Sequence, residues 1–168
     1  MSEQVVPALL QDPLEFVQSR KTQNGEIALN RLLRLRENLL SQDGAVRYQL
    51  SGFVNAQGMP SLRCQVQGEL QLACQRCLEP MDYRLDVDNA LLLLQHEPDA
   101  MQADDPDAPD YLLIQRDLVI ADLVEEEIML ALPMAPHHAE AVCKGRPATE
   151  TGKLHPFAAL ARLKTIKE

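Results

Sequence analysis

The feature that most constrains what this chain can fold into is a run of alternating apolar and polar residues from Val46 to Leu94, broken only twice. Val46, Tyr48 and Leu50 alternate with polar neighbours. After the turn residues Asn55-Ala56-Gln57-Gly58, the positions Leu62, Cys64, Val66, Gly68, Leu70, Leu72 and Cys74 fall on one side of a long period-2 stretch. Beyond Pro80 the alternation resumes at Met81, Tyr83, Leu85 and Val87 and ends in Leu91 to Leu94. Successive strand residues point to opposite faces, so this pattern predicts an antiparallel three-stranded meander with one buried face. Without Trp, and with three Phe and three Tyr in 168 residues, its core must be aliphatic. A chain of this length fits one domain, residues 1–168, able to bury a real core.

The second break is Cys74-Gln75-Arg76-Cys77, two thiols two residues apart where one strand ends and the next begins. The apolar runs are far shorter than the roughly 20 residues of a membrane helix, and Met1-Ser2-Glu3-Gln4 does not resemble an export signal. A cytoplasmic, reducing location is therefore expected. There, closely spaced thiols more often bind metal or cycle redox state than form disulfides. Zinc takes about four soft or imidazole ligands, and a C-x-x-C turn aims two sulfurs at one point. His138 and Cys143 offer a second pair, with His137 as a substitute, giving a candidate zinc site of Cys74, Cys77, His138 and Cys143. Cys64, ten residues before Cys74 on the same face, is too far along its strand to join them and reads as core. A thiol redox role is the weaker alternative. Redox cysteines open a helix whose dipole lowers the thiol pKa, whereas Leu78-Glu79-Pro80 leads into a strand pattern.

Around the meander, residues 3–10 read as a short edge strand, and Asp12-Pro13 as the cap and first position of a short helix carrying Leu14, Phe16 and Val17, which Gly25 punctuates. Residues 28–40 have helical spacing, with Leu29, Leu32, Leu33, Leu39 and Leu40 near one face and Arg31, Arg34 and Glu37 off it. Residues 97–110 form an acidic loop without periodicity, after which Tyr111 to Ile114 return to the sheet edge. A helix from Asp117 to about Leu130 presents Ile120, Leu123, Val124, Ile128 and Ala131 as one stripe, and Pro133 stops it. Glu127 lies nearest that stripe among three consecutive glutamates and is a candidate buried or paired carboxylate; reaching solvent from the border is the ordinary alternative. Residues 134–154 read as irregular, and 155–168 as a tail with a short helix in which Phe157, Leu160 and Leu163 dock while Arg162, Lys164 and Lys167 stay wet.

Net charge is -9, and the acid is segregated. Eleven Asp and Glu lie between Glu97 and Glu127 against the single base Arg116, whereas the tail from Lys144 carries six Lys and Arg against Glu150 and Glu168. Phosphate affinity comes mainly from Lys and Arg, so any RNA contact should be local or made through a basic protein. Neither G-x-S-x-G, a P-loop nor G-x-G-x-x-G occurs. A hydrolase or nucleoside triphosphatase therefore lacks its motif, and no small-molecule substrate is expected.

Four separated stretches, Leu72-Ala73-Cys74-Gln75-Arg76-Cys77-Leu78-Glu79-Pro80, Asp122 to Pro133, Cys143-Lys144-Gly145 and His155-Pro156-Phe157-Ala158-Ala159-Leu160, together resemble the YceD family, bacterial proteins with plastid relatives linked to accumulation of large-subunit ribosomal RNA. Many relatives continue past Cys-Lys-Gly with further cysteines, where this chain runs Arg146-Pro147-Ala148-Thr149. The resemblance implies a non-catalytic ribosome-biogenesis factor supporting synthesis, processing or stability of 23S rRNA. Its partners would be that rRNA or its precursor particles, reached in part through basic ribosomal proteins, with no membrane. Arg31, Arg34, Arg76 and Glu127 are the candidate contacts. A zinc-binding adaptor without ribosomal ties is the alternative. The expected fold is α+β: an antiparallel sheet or partly open barrel covered by two or three helices.

Overall fold

The structure is a computed structural model that describes residues 9–97, 109–114, 117–139 and 143. The elements are β1 (Leu9–Leu10), α1 (Pro13–Gln18), β2 (Thr22–Ala28), β3 (Ala45–Val54), β4 (Pro60–Ala73), β5 (Pro80–Leu94), β6 (Tyr111–Leu113), β7 (Leu118–Val119) and α2 (Ile120–Ala131). One sheet has the order β2-β3-β4-β5-β6, and β1 pairs with β7 in a second, two-stranded one.

The alternation becomes geometry directly. Tyr48 sits opposite Val66, Leu50 opposite Cys64, and Val66 opposite Val87, so the buried faces of β3, β4 and β5 are one surface. Both helices lie on it, α1 against β3 and β4, α2 against β4 and β5. The other face carries Arg47, Gln67, Asp86 and Asp88 in solvent. The sheet is mixed and open: β6 runs parallel to β5, with Leu92 beside Tyr111 and Leu94 beside Leu113, and no described pairing closes it into a barrel. The run at Tyr111 does return to the edge, and residues 95–110 give the length that a parallel crossover needs.

Helix α1 starts as its sequence predicts. The Asp12 side chain accepts a hydrogen bond from the Glu15 N–H, Pro13 occupies the first turn, and Phe16 and Val17 are buried. It seats on β3 at Gly52, where a Cβ would lie 2.6 Å from Val17 Cα and 2.9 Å from Phe16 O. Gly52→Ala should therefore cost about 1–3 kcal/mol, a loss that urea unfolding would register. Gly25 does not end a helix. It lies within β2 opposite Tyr48, whose ring covers the space a side chain would take.

The segment from Ala28 to Leu40 is not an α-helix. It makes two 3-10 turns, Leu29–Arg31 and Leu35–Asn38. Leu29, Leu32 and Leu35 are buried at spacings of three, the repeat of a 3-10 turn, while Leu33 and Leu40 are exposed. The expected stripe thus included two solvent-facing leucines and missed Leu35. Helix α2 begins at Ile120, because Leu118 and Val119 pair with Leu10 and Leu9 as a short ladder. Ile120, Leu123, Val124 and Ile128 are buried, each worth about 1.5–3 kcal/mol, whereas Ala131 is exposed. Residues 3–8 of the expected edge strand, the acidic stretch 98–108, most of 140–154 and the tail 155–168 lie outside the described residues.

Candidate metal centre

The turn between β4 and β5 is held by its own backbone. The Cys74 N–H donates to Glu79 O at 3.0 Å and the Leu78 N–H to Cys74 O at 2.8 Å. Leu78 adopts a left-handed φ of 63°, which swings the chain out of the turn and into β5. From the far side, the stretch after α2 is tied on by the Gln75 N–H, which donates to Pro136 O at 2.8 Å. These contacts bring four side chains to one point: the ligand atoms of Cys74, Cys77, His138 and Cys143 all lie within 4.8 Å of one another. Sequence spacing named these four. The substitute His137 is not among them, and its Nδ1 faces Ala135 O.

The spacing suits a tetrahedral ion. With metal–sulfur bonds of about 2.3 Å and metal–nitrogen bonds of about 2.0–2.1 Å, two sulfurs sit about 3.8 Å apart, and sulfur and nitrogen about 3.6 Å apart. Cys74 Sγ lies 3.9 Å from Cys143 Sγ, and Cys77 Sγ lies 3.4 Å from His138 Nδ1. His138 Nε2 is 3.0 Å from Pro80 O. A carbonyl only accepts, so Nε2 must carry the proton and Nδ1 turns a lone pair toward the sulfurs, the arrangement of a ligating imidazole.

The thiols are tuned unequally. Burial pushes Cys74 up, but N–H groups of Cys77, His138 and Arg76 and the Cys77 side chain outweigh it, bringing the thiol down to about 5. Hydrogen bonding at the Glu79 backbone draws Cys77 down, yet burial and the sulfurs of Cys74 and Cys143 leave it raised. Three thiols this close cannot all ionise unless a cation joins them. Cys64 stands apart: burial, with the Glu127 and Asp88 charges, pushes it up to about 12, and it is inert core as its position implied.

The candidate contact residues are scattered. Arg31 is exposed on the first 3-10 turn and Arg76 at the tip of the cysteine turn. Arg34 is engaged within the protein: its Nε meets Glu125 Oε2 at 3.1 Å and its guanidinium donates to Asp122 O at 3.2 Å. Glu125 also accepts from the backbone N–H groups of Arg34 at 2.6 Å and Leu35 at 3.0 Å, binding α2 to the second 3-10 turn. Sequence reasoning passed over Glu125, although a signal exists. At about 100° per residue, Glu127 falls between Leu123 and Ile120 inside the packed stripe and Glu125 falls next beyond Ile128 at its border, while Glu126 points away. Glu125 and Glu127 are buried, and Glu126 is exposed.

Glu127 accepts from Asn89 Nδ2 at 3.1 Å. Burial raises its pKa, opposed by the Asn89 hydrogen bond and helped by the Asp110 and Glu126 charges. A carboxyl raised in the fold favours the folded state below its unfolded pKa, about 4.3, and loses that contribution as pH climbs through the folded value. Glu127→Gln should therefore gain in Tm over the native protein as pH rises from 4 to 8, with the difference smallest at the acid end, as thermal scans across that range would show.

No helix among the described residues is long and apolar enough to cross a membrane. A family model described as large ribosomal RNA subunit accumulation protein YceD matches residues 62–164. The chain is similar to the large ribosomal RNA subunit accumulation protein YceD of Haemophilus influenzae, 30% identical over 167 residues that cover 91% of this chain and 93% of that protein. No solved structure matches it.

Proposed function

This chain belongs to the YceD family, and from that premise we propose that it supports the accumulation of large-subunit, 23S rRNA as a non-catalytic cytoplasmic factor stapled by one structural zinc ion. The observation that carries the reading is the extent of the likeness: a protein named for that role aligns over 91% of the chain, and the family match at 62–164 contains all four residues of the cluster. Three thiolates and an imidazole are a soft donor set that favours zinc over magnesium or calcium. Four protein donors leave no open position for substrate or water, as in structural sites and unlike catalytic ones. The cluster joins the β4–β5 turn to the segment after α2, so zinc there would cross-link two parts of the chain. Exposed Arg31 and Arg76 are the proposed contacts to rRNA or its precursor particles, while the acidic 97–127 region docks a basic ribosomal protein. The test is to delete the gene and measure the ratio of large- to small-subunit rRNA. A fall restored by the native gene is expected, and an unchanged ratio would sink the reading.

The low pKa of Cys74 is the one observation that favours a thiol redox enzyme. Against it, Cys74 is 0% exposed and β5, not a helix, follows its turn. Insulin-reduction turnover by the purified protein would favour redox chemistry; its absence is expected.

A further inference from the structure

A groove of about 420 Å³ runs beside the cysteine turn, walled by Leu40, Leu72, Met129, Leu132, Met134 and Pro136. It is apolar yet open, with Leu40 51%, Met129 38% and Met134 103% exposed. Apolar walls this exposed on a protein of net charge -9 call for a cover. Three observations point to the same one. Gln75 and Pro136, which line the groove, are hydrogen-bonded to each other beside the cluster, and the cluster holds Cys143, the last residue described. In sequence, residues 144–168 follow Cys143, and the stretch from Cys143 to Phe157 can span at most about 45 Å, a reach that takes in the groove beside the cluster. That segment brings Phe157, Leu160 and Leu163 among the bases Arg162, Lys164 and Lys167, while the charged residue in the groove's lining is Glu37, and exposed Glu126 stands three residues before Met129 on α2.

We propose that this groove is the seat of the chain's own C-terminal segment, residues 155–164, with Phe157, Leu160 and Leu163 against the methionine and leucine walls and the basic side chains toward Glu37 and Glu126. The inference does not depend on the ribosomal role and can fail while that role stands.

The test uses the full chain labelled with carbon-13 at its methionine methyls, Met59 serving as a reference outside the groove. In Phe157→Asp/Leu160→Asp, the Met129 and Met134 signals should shift while Met59 stays, and a synthetic peptide of residues 152–168 should reverse the shift saturably. Identical Met129 and Met134 signals in the two proteins would overturn the proposal. So would groove signals in the native chain that change on tenfold dilution, since the occupant would then be a second copy. As an independent reading, Met134→Arg alters a fully exposed side chain and should speed tryptic cleavage at Arg162 and Lys164 about tenfold by emptying the seat. Unchanged cleavage would count against it equally.

Discussion

Purified from cells without chelator, the full chain will carry about one zinc per molecule, and Cys74→Ser will lose it. The expectation follows from geometry: sulfurs 3.9 Å apart, sulfur and imidazole nitrogen 3.4 Å apart, and a histidine whose other nitrogen is spoken for by Pro80 O. The stability effect should be large without being total. Small zinc fingers unfold without metal because they have no other core, whereas here Leu50, Leu62, Val66 and Leu85 are buried independently of the cluster. An ion held at 1,000 times its dissociation constant stabilises by about 4 kcal/mol, which for a chain of this size lowers Tm by about 8–16 °C when removed. Elemental analysis, with thermal unfolding before and after chelation, measures both quantities. Metal-free native protein with the same Tm in chelator would reduce the cluster to a corner with free thiols. Thiols must ionise to bind, so metal content should also fall as the buffer is acidified, and protons should be released when zinc is added back.

The second large effect is expected at Glu125. Its carboxylate accepts from two backbone N–H groups and from the Arg34 side chain, and the residue is 5% exposed. Glu125→Ala leaves the Arg34 and Leu35 N–H groups without their acceptor at a packed contact, at about 1–3 kcal/mol each, so a loss of about 2–6 kcal/mol in urea unfolding is expected. The ion pair adds little to that figure because the Arg34 side chain is 52% exposed. Glu125→Gln keeps an amide oxygen for both N–H groups and should lose much less. Equal losses in the two variants would show that charge, and not backbone satisfaction, makes the contact. Arg34→Ala should stay closer to the native protein, since a main-chain N–H remains at residue 34 whichever side chain it bears.

His138 shows why the grouping of these four side chains was readable ahead of the fold around them. Ligand chemistry restricts the choice to thiols and imidazoles, and a C-x-x-C turn with a distant His and Cys leaves few combinations. Between the neighbours His137 and His138, spacing put His138 first and kept His137 as a substitute. Pro80 O decides, by receiving one ring nitrogen of His138 and leaving the other to the sulfurs. With the imidazole, the three thiols make up a group of four candidate ligands within 4.8 Å of one another.

What the amino-acid sequence determined by itself is the pleated surface: period-2 alternation has one solution when a face must be buried, and Val46 to Leu94 took it with the anticipated side inward. The Asp12-Pro13 helix start and the α2 stripe from Ile120 to Ile128 belong with it, since capping and periodicity act over a few residues. Tertiary structure alone decided the Leu-rich segment 28–40, whose spacing fits a helix and a 3-10 path alike until a carboxylate 90 positions later binds the N–H groups of Arg34 and Leu35. It also decided that β6 joins parallel and that Gly25 makes room for Tyr48. Each of these rests on partners far apart in the chain, and local pattern carries no record of which distant group will satisfy a backbone N–H or fill the space above a glycine.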